Sequence, residues 1–189
     1  MLSHLSRSFP AVVKDCELTQ WLLDHGADPQ FGTATTPAPV NIGDNIRSKS
    51  QLLHTVAYCG SLDTFCLLRK HGALFECSLA LHAAACNPSQ LPILAHLLNH
   101  EKDEVDVNEQ DLYCVPHLGP PIMYAILKGN HEGVRLLLEH GADPETRRLP
   151  PFETITAMTQ AQTLAFTDAE AGEKIIAILT ASIEAKKDA

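Results

Sequence analysis

The chain is short of positive charge: 14 lysines and arginines stand against 23 aspartates and glutamates, a formal net charge of −9. Charge of that sign repels phosphate backbones and anionic headgroups, which argues against nucleic acid or anionic lipid as the main partner. Any apolar run approaching the ~18 residues of a membrane-crossing helix is also missing. The six cysteines (Cys16, Cys59, Cys66, Cys77, Cys86 and Cys114) never form a Cys-x-x-Cys pair, and no apolar leader segment follows Met1. Such scattering predicts reduced thiols in an intracellular protein, cytoplasmic or nuclear. Signatures of chemistry are absent too: no Gly-x-Ser-x-Gly, no phosphate loop, no metal motif. What the chain does have is apolar mass, 45% of 189 residues, enough for one domain with a real core.

Residues 129–144 give the plan. Val134, Leu137 and Leu138 are three and four residues apart and make one apolar stripe on a helix of about three turns. Gly141 stands where a helix end needs a positive φ, His140 lies in the last turn, and Asp143 with Pro144 cannot continue the helix. The same ending recurs at residues 22–29 and 67–73, and in degenerate form at 97–100. Shorter helices precede these: Ser50 and Ser78 each stand four residues before a histidine (His54, His82), where a hydroxyl can cap a first turn, and Pro120 and Pro121 open a third. The unit is therefore helix, tight turn, helix, outgoing loop.

The rest of the chain fits around such units. Residues 1–13 read as a degraded first helix, and residues 16–25 as a second with Leu18, Trp21 and Leu22 on one face, Trp21 being packing rather than a ligand contact. Pro37, Pro39 and Gly43 break any pattern over 31–49, which is a long loop, either functional or a tolerated insertion. Residues 156–166 give a weak helix, Thr167 with Glu170 offers a capping box, and 174–183 is apolar enough to pack before the tail turns polar. The endings at Gly26, Gly72, Glu101 and Gly141 keep no fixed period, as expected when helix pairs keep their length and loops vary.

Leu53-His54, Leu81-His82-Ala83-Ala84-Ala85, Gly129-Asn130 and the three His-Gly-Ala triplets resemble the ankyrin repeat. The irregular spacing and the Gly-Ala-Asp-Pro endings are similar to those of divergent ankyrin proteins of filamentous fungi. Met123 in place of the histidine, Asn87-Pro88 in place of the inter-helix glycine region, and Glu101-Lys102-Asp103 in place of Gly-Ala-Asp are departures that weaken the third repeat. The resemblance implies an all-α solenoid of about five helix-turn-helix units, at roughly 5–30, 50–76, 78–108, 119–145 and 154–183, with the loop insertion at 31–49. It implies a single domain, a monomer, that binds another protein through a concave face and uses neither cofactor nor metal. Carried over by position, the groove-facing residues are Tyr58, Cys59, Cys86, Asn87, Leu127 and Lys128. Loop tips add Phe75, Glu76, Tyr113, Arg147 and Arg148. Tyr58, Tyr113 and Arg148 are the expected energetic anchors, since aromatic and arginine side chains dominate binding hot spots.

Two other classes compete. One is a targeting or scaffold portion of a larger assembly, such as a ubiquitin-ligase adaptor or kinase inhibitor. The other is a hydrolase using His82 and Cys86, which share a helix face, or a zinc enzyme using His96 and His100. Position in the repeat accounts for most of the ten histidines without metal, and the basic pairs are too short and separate to track a phosphate backbone.

Overall fold

A computed structural model describes residues 14–29, 51–75, 78–111 and 118–188. Among them are nine α-helices: α1 (Cys16–Asp24), α2 (Gln51–Cys59), α3 (Leu62–Lys70), α4 (Ala80–Cys86), α5 (Leu91–His100), α6 (Pro121–Leu127), α7 (His131–Glu139), α8 (Ala157–Ala165) and α9 (Ala169–Lys187). The only β-type pairing among the described residues is an isolated antiparallel bridge between Arg147 and Thr156. No helix of the described residues is long and apolar enough to cross a membrane. The degraded helix expected in 1–13, the 31–49 loop and the Ser50 cap fall outside the described residues.

The chain divides into two compact units, Met1–Ala83 and Ala84–Ala189, with the boundary inside α4. In the first, α3 packs against both α1 and α2. Its core comprises Leu22 and Leu23 from α1, Leu52, Leu53 and Val56 from α2, and Phe65 and Leu68 from α3. In the second, α7 packs on α5, α6 and α9, and α8 on α6 and α9. Ile93, Leu94 and Leu97, Ile122 and Ile126, Val134 and Leu137, and Ile175 and Leu179 are all buried there.

The helix stops are those the sequence predicts. Gly26, Gly72 and Gly141 have φ of 86°, 89° and 91°, a region costly for residues with a Cβ. The amides of Ala27, Ala73 and Ala142 reach back to the carbonyls of Leu22, Leu68 and Leu137, closing each helix in the same way. Ser78 assists the entry to α4, its hydroxyl accepting from the Ala80 amide at 3.2 Å, and Pro121 opens α6.

Two expectations are corrected. Trp21 is 51% exposed and Leu18 43%; the buried residues of α1 are Thr19, Leu22 and Leu23. Thr19 can be buried because its hydroxyl donates to the Asp15 carbonyl at 2.8 Å, whereas Trp21 stacks on His25 with centroids 4.0 Å apart. The expected Thr167/Glu170 capping box does not form. Asp168 is the N-cap, accepting from the Ala171 amide, and the Thr167 hydroxyl turns back to the Leu164 carbonyl. The helix it starts runs on to Lys187 and so takes in most of the polar tail that begins at Glu184.

His54 ties α2 to the residues that lead into α4: its Nδ1 lies 3.1 Å from the Ser78 carbonyl oxygen. Burial, the largest influence, holds its pKa below the usual histidine value, against the smaller upward pull of the Ser78 and Leu79 backbone. A depressed folded-state pKa means that the folded chain binds the proton less readily than the unfolded chain. The stabilisation is therefore complete above the unfolded value of about 6.5 and is lost as pH falls through the lower folded value. Thermal melts at neutral and mildly acidic pH should show a fall in midpoint on acidification that is smaller in His54→Gln; equal falls would contradict this role.

Candidate interaction groove

Within the second unit, side chains from one neighbouring pair of helices anchor the next across long stretches of sequence. Asn108 donates to the Gly141 carbonyl at 3.1 Å and accepts from the Asp143 amide at 2.9 Å, tying the loop after α5 to the stop of α7. Asn130, 3% exposed, caps α7 by accepting from the Gly133 amide at 3.0 Å, and its Nδ2 donates to the Ala85 carbonyl at 2.9 Å. The buried Asp111 carboxylate accepts from the Leu118 and Gly119 amides at 2.8 and 2.9 Å and from the Tyr124 hydroxyl. Gln160 on α8 donates from Nε2 to the Met123 carbonyl on α6. Apart from the Tyr124 hydroxyl bond, each of these bonds pairs a side chain with a backbone group, the use most buried polar side chains find.

The fixed elements enclose a half-open groove of ≈ 380 Å³ between the end of α6, the loop before α8, and α8 with the turn that follows it. That volume is in the range of ligand pockets. Leu127, Ile155 and Leu164 supply its aliphatic lining; Thr154, Thr159, Thr163 and Thr167 supply hydroxyls; Arg148 and Gln160 complete it. Exposed apolar side chains gather in the same segments. Leu127 and Phe152 are each 41% exposed and Phe166, at the end of α8, is 91% exposed. These are the large exposed hydrophobics of the second unit among the described residues, and apolar side chains left in water beside a concavity mark interaction sites.

Of the residues named from sequence, Leu127 and Arg148 come together in this groove. Arg148 is half-buried rather than a free loop tip: Nε and Nη2 donate to Gln160 Oε1 at 3.2 and 2.8 Å. Lys128 is exposed and near enough to Cys86 for its charge to pull the thiol pKa down, yet burial is the larger effect and leaves that thiol raised. A raised pKa is the reverse of what a nucleophilic cysteine requires. Asn87 accepts from the Ser89 amide at 3.1 Å and so caps a single 3₁₀ turn before α5. In the first unit Tyr58 is 43% exposed, and the Cys59 thiol points back to the Thr55 carbonyl at 3.3 Å. Phe75 lies beneath the Arg69 guanidinium, 4.0 Å from ring centroid to carbon. Arg147 is exposed at the bridge to Thr156. Glu76 and Tyr113 lie outside the described residues.

The His96 and His100 rings are 4.9 Å apart, with Glu101 3.7 Å from His96 Nε2. No group of three or more possible metal ligands assembles among the described residues. Sequence reasoning missed Gln160, Asn108, Asp111 and the bond from Asn130 to Ala85, because these bonds span 7 to 45 residues and no local pattern announces them.

The family model described as ankyrin repeats, in three copies, matches residues 53–148. No curated protein matches the chain by sequence. Among solved structures, the ankyrin repeat domain of Bcl-3, described as a member of the IkappaB protein family, is similar at 17% identity, with 92% of this chain and 85% of that one covered and a TM-score of 0.38.

Proposed function

The chain belongs to the ankyrin-repeat family, and from that premise we propose that it is a non-catalytic protein-binding module that holds its partner in the groove formed by the end of α6, the loop before α8, and α8. The observation that carries this reading is a groove lined by the exposed Leu127, with two further exposed apolar side chains, Phe152 and Phe166, in the loop and the turn that supply its other lining residues. Exposed apolar surface beside a concavity contributes to association when a partner covers it. Bonds such as Gln160 to Met123 hold the walls before the partner arrives, which lowers the ordering cost of binding.

Affinity capture with the wild type, Leu127→Glu and, as a control outside the groove, Glu139→Lys tests this. A partner retained by the wild type and the control should be lost about tenfold from Leu127→Glu, the effect of roughly 1.4 kcal/mol. Equal retention by all three would remove the groove from the account.

A further inference from the structure

Arg148 is the side chain that says what the groove accepts. Its half-buried guanidinium donates to the amide oxygen of Gln160, at 3.2 and 2.8 Å, and none of the ion pairs of the described residues includes it. Arg135 is paired with Glu132, Lys174 with Glu170 and Lys186 with Asp143. In a chain with 23 acidic residues, a cation lining a cavity with only a neutral amide against it stands apart. Gln160 is itself fixed by its bond to the Met123 carbonyl, so its oxygen orients the guanidinium. Two of five N–H donors are used there, leaving three. A carboxylate accepts such a fork in a bidentate, charge-assisted way.

The hydroxyls have the opposite character. Thr163 donates to the Thr159 carbonyl at 2.8 Å and Thr167 to the Leu164 carbonyl at 3.0 Å. Having given up their protons, these oxygens offer lone pairs, which suit amide N–H groups and disfavour a bare polyanion. Donors at one place, acceptors at another and an aliphatic lining of Leu127, Ile155 and Leu164 match an extended peptide.

We propose that the groove binds a short acidic-aliphatic peptide segment of a partner protein, with an aspartate or glutamate carboxylate on Arg148 and an adjoining aliphatic side chain on Leu127, Ile155 and Leu164. This rests on the protein-binding reading above and gives it a ligand chemistry. An array of synthetic hexapeptides in three classes tests it: aliphatic with glutamate, aliphatic with glutamine, and aliphatic with lysine. Fluorescence anisotropy should show binding by the glutamate class at least about tenfold tighter than by the other two, the discrimination expected of a charge-assisted pair. Arg148→Lys, which keeps the charge and loses the fork, should weaken it several-fold, and inorganic phosphate should not displace it. Should Arg148→Lys melt early, Leu127→Glu, altered at an exposed position, supplies the same readout by loss of glutamate-class binding. Equal binding by the three classes, binding by none, or displacement by phosphate would overturn the assignment. Partner capture still sensitive to Leu127→Glu would then show that only the ligand chemistry had failed, whereas insensitive capture would remove the protein-binding groove as well.

Discussion

Gly172→Ala is expected to destabilise the protein by about 1–3 kcal/mol, although glycine to alanine inside a helix ordinarily stabilises by about 0.5–1 kcal/mol. The reason is the approach of α9 to the end of α8. A Cβ built at Gly172 would stand 2.5 Å from the backbone nitrogen and Cα of Ala165, and a backbone cannot swing aside as the tip of a side chain can. Helix propensity and packing therefore make opposite forecasts, and the contact distance decides for packing. Valine, with two more carbons, should cost more still. Thermal or denaturant melts check this: a raised midpoint for Gly172→Ala would mean that α8 and α9 do not meet as described.

Asn130→Ala should cost about 2–4 kcal/mol, the sum of a lost N-cap and a buried carbonyl left without its donor. Asn130 serves two elements at once: its oxygen caps α7 at Gly133, and its Nδ2 reaches the Ala85 carbonyl at the end of α4. At 3% exposure no water can replace either bond cheaply. Asn130→Asp separates the two roles, keeping the acceptor for Gly133 while losing the donor to Ala85. Urea titration should place it between wild type and Asn130→Ala; an aspartate variant as stable as wild type would show that the Ala85 bond contributes nothing.

These two residues also show where reading the sequence succeeds and where it stops. Gly141 and its counterparts were legible because a helix stop is a local event: a positive φ, a preceding apolar stripe and, at Gly26 and Gly141, a following Asp-Pro are all within a few residues. Gly172 and the second role of Asn130 were not, since what they meet is the backbone of another helix. Trp21 failed for a related reason. Leu22 belongs to the stripe shared with Leu18 and Trp21 and also to the one shared with Thr19 and Leu23, and hydropathy favours the first. The structure buries the second, because Thr19 satisfies its own hydroxyl on Asp15. At Thr167 the error was one residue: two consecutive residues can cap, and the carboxylate of Asp168 took the Ala171 amide. In the groove, Leu127 and Arg148 were named from repeat position, but the Gln160 clamp that orients Arg148 needed coordinates.

The measurement that bears most directly on the account is hydrogen–deuterium exchange across the chain with and without a captured partner. Protection centred on the end of α6, residues 147–156 and the C-terminal half of α8 is the result the account expects. Protection confined to α1 around the exposed Trp21, with amides 147–165 exchanging as in the free protein, would contradict it.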